Sequence, residues 1–260
     1  MTEFTVSGLT VIINQLLPEP HAGLLAGLLF GTKAAIPRDF YDALVATGTL
    51  HIIALSGQNI SIMESLISFI LLPCIGKRWA SIVTVGIIVW FVWFVGPSPS
   101  IIRAAIMGSI SLIAVLFGRQ YWAILAWIVT CGSMLIIHIG WLSDISFQLS
   151  ALATLGIILF GRKEKNMMLE NLRLTLAAQT FTIPLIFFSF HRISFISPVA
   201  NLAIGWVIAP VTLVGWATIL FGSVVLYVGQ VIAWIDWILL EYLIKTIQLM
   251  SRIPFASLGW

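Results

Sequence analysis

Long apolar runs, separated by short polar stretches, dominate the hydrophobic pattern of the chain. Each run approaches or exceeds the roughly 20 apolar residues that a helix needs to cross a bilayer. The runs lie near residues 50–75, 79–96, 99–117, 121–140, 143–160, 172–190, 195–229 and 231–250. Because proline interrupts a helix, Pro198 and Pro210 predict two spans within residues 195–229.

The composition agrees with this pattern. Of the 260 residues, 60% are hydrophobic and only 9% are charged, whereas a soluble domain carries about 25% charged residues. The run at 231–250 contains Asp236, Glu241 and Lys245, so it is either a tilted last span or an interfacial helix. We therefore predict an all-α fold, a polytopic membrane helical bundle with about seven to nine spans, some of them broken or re-entrant.

The first 49 residues have a different pattern from the rest. The segment 21–33 is too short to cross comfortably, and Gly23, Gly27 and Gly31 would let another helix approach it closely. It predicts a re-entrant or interfacial helix, followed by an external helix within 34–49. The predicted domains are therefore an external or interfacial segment at 1–49, a transmembrane domain at 50–250 and a short C-terminal tail at 251–260.

Basic residues are concentrated in alternate loops. They are Lys77, Arg78, Arg119, Arg162, Lys163 and Lys165. The loops between them, near residues 96–100 and 141–144, contain neither Lys nor Arg. Because cytoplasmic loops are enriched in these residues, the basic loops are expected in the cytoplasm and residues 1–49 outside.

Five of the predicted helices carry a stripe of polar or small residues at helical spacing. The stripes lie within residues 57–68, 100–108, 144–154, 175–182 and 197–209. Helix packing explains any single stripe, since small and hydroxyl residues stabilise contacts between membrane helices. Five stripes that include Glu64, Arg103 and Gln148 instead favour a hydrated path, because packing alone does not require charge.

Serine, histidine and arginine residues within or near the spans are candidates for catalysis, metal binding or anion binding. Ser56 with His51 is weakly suggestive of an intramembrane serine hydrolase, but a separation of five residues is a poor match for a direct hydrogen bond on a helix. The histidines show no metal-ligand spacing, so no metal or other cofactor is expected. Arg103 is the only basic residue deep within a predicted span, where it could pair with Glu64 or attract a phosphate.

Five sequence strings in combination resemble the membrane domain of the ComEC family of bacterial competence proteins. They are LPEPHAGLLAGLLFG at 17–31, GTLHIIALSGQNISIM at 48–63, GPSPSIIRAAIMG at 96–108, DISFQLSALATLGI at 144–157 and SPVANLAIGWVIAP at 197–210. Their order and spacing agree with that domain over roughly residues 15–250.

The resemblance implies a multi-pass channel component of the bacterial inner membrane that takes up single-stranded transforming DNA. Members of the family usually also carry an external OB-like domain and a metallo-β-lactamase-like domain proposed to be the nuclease. Neither is expected in this chain, which is therefore not predicted to be an enzyme. The implied partners are single-stranded DNA, the lipid bilayer, an external DNA receptor, a separate nuclease and a cytoplasmic translocase.

The matched strings and the polar stripes together select a set of residues expected to line the DNA path. They are His51, Ser56, Gly57, Asn59, Glu64, Arg103, Gln148, Ser150 and Asn201. Those at 51–64 would form the outer mouth and first wall, Arg103 would meet phosphates, and the last three would add hydrogen bonds. A small-solute or anion transporter remains an alternative, because broken helices beside polar side chains are common in transporters.

Overall fold

A computed structural model describes residues 5–32, 36–53, 57–162, 164–190, 192–194, 196–253 and 257–259. This part of the chain is almost entirely helical. The α-helices are α1 Val6–Leu16, α2 His21–Phe30, α3 Arg38–Ala46, α4 Gly57–Val95, α5 Pro99–Leu116, α6 Ala123–Ile137, α7 Ile145–Phe160, α8 Met167–Phe190, α9 Ser197–Val224 and α10 Leu226–Ser251. Two strands of three residues, β1 Arg192–Ser194 and β2 Ser257–Gly259, pair antiparallel.

Local chemistry sets several helix ends. The backbone N–H of Gly8 donates to the Thr5 hydroxyl at the start of α1, and the Asp144 carboxylate caps α7. Proline lies in the first turn of α5 and of α9, where its missing N–H is not needed. Gly31 ends α2 in the left-handed region, with a φ of 73°.

The helices divide into two compact units. The first comprises Met1–Leu55, Glu164–Thr175 and Ile186–Trp260, and the second comprises Ser56–Lys163 and Leu176–Leu185. The first unit therefore contains α1, α2, α3, α9 and α10, and the second contains α4 to α7. The helix α8 contributes its ends to the first unit and its middle to the second.

In the first unit, α9 and α10 form a helical hairpin joined by Val225 alone. The two helices approach each other closely at two glycines, since a Cβ on Gly229 would lie only 2.4 Å from Cα of Gly222. All ten residues of α2 are buried. A Cβ on Gly27 of this helix would lie 2.2 Å from Cγ2 of Ile53, a residue in the turn after the 3-10 helix Leu50–Ile52, so this glycine makes room for a side chain from outside a helix.

In the second unit, α4 is divided by a turn. Gly76 has φ 74° and ψ 165°, so the helical path breaks there although helical hydrogen bonds continue on both sides. Each half has about 19 residues, or about 28 Å, which is close to the thickness of a bilayer core. The basic residues Lys77 and Arg78 follow this turn directly.

Five helices in the described ranges are long and apolar enough to cross a membrane: α4, α5, α8, α9 and α10. The all-α membrane bundle predicted from the sequence is confirmed, while the number of spans and their orientation stay predictions. One expectation was wrong. Residues 195–229 do not break at Pro210, because α9 continues through it; a helix tolerates the fixed φ of proline and loses one hydrogen bond there.

Candidate functional site

The second unit buries a single arginine among three helices. Arg103 lies one turn into α5 and is only 7% exposed. Its Nε donates to the Ser150 hydroxyl of α7 at 2.8 Å, and its Nη1 lies 3.6 Å from the Met107 sulfur. A hydroxyl and a thioether are neutral acceptors, so these contacts hold the guanidinium in place without neutralising its charge.

The wall opposite Arg103 comes from α4. A Cβ on Gly57 would lie 3.3 Å from Nη2 of Arg103, which means that the guanidinium packs directly against the start of this helix. Two turns further along, the half-buried Glu64 packs over Gly108 of α5, where a Cβ would lie 2.8 Å from Oε2. Both glycines therefore make room for a charged side chain from the neighbouring helix.

Polar contacts continue from α5 to the start of α7. The hydroxyls of Ser100 and Ser146 are 3.2 Å apart. The Asp144 carboxylate accepts from the backbone N–H groups of Ser146 and Phe147 at 2.7 and 3.1 Å. The side-chain amide of Gln148 turns back and donates to the carbonyl of Leu142 at 2.7 Å, so it holds the connecting turn.

Six of the predicted path-lining residues belong to the second unit, and three of these, Gly57, Arg103 and Ser150, are in direct contact. The six are Gly57, Asn59, Glu64, Arg103, Gln148 and Ser150. The other two described ones belong to the first unit: His51 is exposed in a short 3-10 helix, and Asn201 of α9 donates to the Ser197 hydroxyl at 3.4 Å. Ser56 lies outside the described residues. That these side chains line a path stays a prediction.

The ion pair between Arg103 and Glu64, one of the two expected roles of Arg103, is not formed. Among the described residues, no carboxylate oxygen lies within 4 Å of the guanidinium. Glu64 packs at Gly108, which lies five residues beyond Arg103 on α5, or about 7.5 Å along the helix axis. A buried cation without a counter-charge is unfavourable by itself, and an anion that approaches it would relieve that cost.

The sequence reasoning missed a second group of buried polar residues, in the first unit. Asp236 is fully buried on α10, and His21 of α2 pairs with Glu241. A signal was present in the sequence. Asp236 falls on the same helical face as Ala233, Leu240 and Leu243, where an aspartate is costly unless it has a role.

Metal binding finds no support in the described ranges. They contain no cluster of three or more histidine, cysteine, aspartate or glutamate side chains that could hold a metal ion. The candidate site is a polar one, with a buried guanidinium, several hydroxyls and two carboxylates.

Comparisons with known proteins identify one family and two related proteins. The model of a family described as "Competence protein" matches residues 28–260. The chain is 25% identical over 193 residues to ComE operon protein 3 of Bacillus subtilis (strain 168), which covers 73% of the chain and 25% of that protein. It is 24% identical over 238 residues to the uncharacterized protein YcaI of Escherichia coli (strain K12). That alignment covers 83% of the chain and 32% of YcaI.

The chain thus spans between a quarter and a third of the length of these curated relatives. No solved structure matches it.

Proposed function

The chain belongs to the competence protein family, and from this premise we propose that its membrane helices form part of a path for single-stranded DNA across the bacterial cytoplasmic membrane. The description of the family as "Competence protein" supports uptake of transforming DNA as the process. The proposal includes partners that deliver the DNA outside, degrade the other strand and pull the strand inwards.

The observation that carries the proposal is the environment of Arg103. This guanidinium is buried between membrane helices, is held by two neutral acceptors and has no carboxylate within ion-pairing distance in the described part of the chain. Guanidinium matches the geometry of a phosphate and remains charged at any physiological pH. A DNA backbone passing α5 would meet the charge that the protein itself leaves unneutralised.

The rest of the site suits transient contact better than tight binding. The neighbours of Arg103 are hydroxyls, glycines and one carboxylate, so a strand would meet hydrogen-bonding groups and a single strong positive charge. Conduction requires sites that attract a ligand enough to admit it and weakly enough to release it. Glu64, two helical turns from Gly57, would repel phosphate and so promote release.

We expect Arg103→Gln to lower the rate of DNA uptake about tenfold, the effect of losing roughly 1.4 kcal/mol of charge-assisted contact. The measurement is nuclease-protected uptake of a fluorescent single-stranded oligonucleotide into proteoliposomes that contain the full chain. Arg119→Gln is the matched control, because Arg119 is exposed in the loop after α5. Both variants should reach the membrane in wild-type amounts.

Equal uptake by the Arg103→Gln and wild-type proteins would contradict a contact between Arg103 and phosphate. Small anions supply the second comparison. If chloride or inorganic phosphate crosses the same liposomes while the oligonucleotide does not, the small-solute transporter is the correct function and the DNA path is wrong.

A further inference from the structure

Three buried polar side chains in the first unit have atoms without a hydrogen-bond partner in the described part of the chain. They are Asp236, with both carboxylate oxygens, Thr218, with its hydroxyl, and His21, with Nδ1. Asp236 and Thr218 are fully buried and His21 is 6% exposed. Buried polar groups are nearly always hydrogen-bonded, so such a group of unsatisfied atoms points to a small ligand.

These side chains come from three helices that meet at Gly215 of α9. A Cβ on Gly215 would lie 3.3 Å from Oδ2 of Asp236 and 2.6 Å from Cδ1 of Leu25. Thr218 follows Gly215 by one helical turn, and His21 precedes Leu25 by one turn of α2. Thr218 and His21 thus each lie about 5.4 Å along their own helix axes from the residues that meet at this point. An ordered water bridges buried polar groups where several of them surround it.

A chain of hydrogen bonds leads from this group to the surface. Nε2 of His21 lies 2.8 Å from Oε2 of Glu241, and Oε1 of Glu241 accepts from Nζ of Lys245 at 2.9 Å. Side-chain exposure rises along the chain, from 8% at His21 to 25% at Glu241 and 74% at Lys245. The imidazole is also held by stacking on Trp237, with ring centroids 5.3 Å apart.

We propose that Asp236, Thr218 and His21 form a membrane-embedded proton-binding site, which exchanges its proton with the aqueous phase through Glu241. The neutral acid is the stable form of a carboxyl buried without a donor, because an isolated buried carboxylate is very unfavourable. Nε2 of His21 donates to Glu241, which leaves Nδ1 as an acceptor for the acidic hydrogen of Asp236 through a bridging water.

The net result of the transfer is that one proton leaves Asp236 and enters the aqueous phase. The Asp236 acid gives its proton to Nδ1 of His21, while Nε2 gives its own proton to the Glu241 carboxylate. Glu241 then loses that proton to water, so the products are an Asp236 carboxylate, a neutral imidazole in the other tautomer and one proton in solution. Transfer in the reverse direction restores the starting state.

Other charged groups near Asp236 do not supply a substitute partner. Over the described ranges, α1 and α9 carry no ionisable side chain. On α3, Arg38, Asp39 and Asp42 are exposed and Tyr41 is half-buried. Before α2, Glu19 accepts from the backbone N–H of Gly23. His21 and, through it, Glu241 and Lys245 are therefore the ionisable groups that link this carboxyl to water.

Infrared spectroscopy of the purified full chain in lipid tests the site. A pH increase should remove the C=O stretching band of a protonated carboxylic acid, and Asp236→Asn should abolish that change. Glu64→Gln, which alters a half-buried carboxyl in the second unit, and Asp39→Asn, which alters an exposed one, should leave it intact. His21→Gln should keep the band but slow its loss after a pH jump about tenfold or more.

A chemical probe on the wild-type protein covers the case in which Asp236→Asn fails to fold. A hydrophobic carbodiimide modifies protonated carboxyls in apolar surroundings, so peptide mapping should find Asp236 labelled, with less label as pH rises. An unlabelled Asp236, a pH-dependent band that survives Asp236→Asn, or a carboxylate whose band responds to sodium instead of pH would overturn the proposal. None of these results depends on DNA uptake.

Discussion

At the scale of single residues, buried or half-buried charged side chains pack against glycines or bond to hydroxyls of neighbouring helices. A larger residue in place of the glycine would occupy the space that the charged side chain needs. The guanidinium of Arg103 packs on Gly57 and bonds to Ser150, and Glu64 packs on Gly108. Each of these contacts joins residues more than 40 positions apart. The partners of Arg103 and Glu64 are therefore distant in sequence, and local spacing does not reveal them.

Ser150→Ala should destabilise the protein by about 1–3 kcal/mol, because Nε of Arg103 loses its acceptor while it remains buried. Ser133→Ala is the control, since that hydroxyl bonds only to the carbonyl of Thr130 in its own helix. It should change stability by no more than about 0.5 kcal/mol. Thermal unfolding in detergent, followed by tryptophan fluorescence, compares the two variants. Equal midpoints would show that the bond between Arg103 and Ser150 contributes nothing.

At the scale of helices, the hairpin of α9 and α10 depends on the absence of side chains at Gly222 and Gly229. The backbone of Gly222 occupies the place that a Cβ on Gly229 would take, at 2.4 Å from Cα and 2.8 Å from N. By contrast, nothing lies within 4 Å of a Cβ on Gly205 of α9. Small residues have this effect in membranes because they let backbones approach closely.

Gly229→Ala should force the two helices apart and lower the free energy of unfolding by about 1–3 kcal/mol. Gly205→Ala should be neutral or slightly stabilising, because alanine is the better helix former and meets no neighbour. Chemical denaturation in mixed micelles, monitored by circular dichroism, measures both. A Gly229→Ala protein as stable as Gly205→Ala would mean that the hairpin separates freely at this point.

Some features of single residues and of helices could be predicted from the sequence, and others could not. The apolar pattern places the starts of α5 and α7 well, since the runs predicted near 99–117 and 143–160 correspond to helices that begin at Pro99 and Ile145. The polar stripes also identified Arg103 and Ser150, which do contact each other. The continuity of α9 through Pro210 was missed because a proline is compatible with helical φ and costs the helix one hydrogen bond, so it need not end the helix. The isolation of Asp236 was missed because the lack of a partner depends on residues distant in sequence.

At the scale of the whole molecule, distant parts of the chain meet around the α9–α10 hairpin of the first unit. The strand β1, just before α9, pairs with β2, just after α10, so that Ser194 is opposite Ser257. The hydroxyl of Ser194 also donates to the carbonyl of Ala46, at the end of α3. The two open ends of the hairpin are thereby held together at one side.

A Ser194→Cys, Ser257→Cys double variant should form a disulfide, since the two residues are register partners. Closing this loop should stabilise the protein by roughly 2–4 kcal/mol. The native Cys74 and Cys131 are replaced by alanine beforehand, and gel mobility with and without reductant detects the bond. Pairing Ser194→Cys with Ser223→Cys, at the far end of α9, is the negative control. Equal oxidation of both pairs, or of neither, would contradict the register.

The single residue between α9 and α10 also constrains how the protein is made. An isolated helix with aspartate at its centre is a poor candidate for insertion into lipid, at a cost of about 2.5–3.5 kcal/mol for that residue. With only Val225 between them, the two helices emerge from the ribosome in immediate succession. They can therefore enter lipid as one hairpin, in which α9 already shields Asp236, and translation and insertion of this pair become a single event.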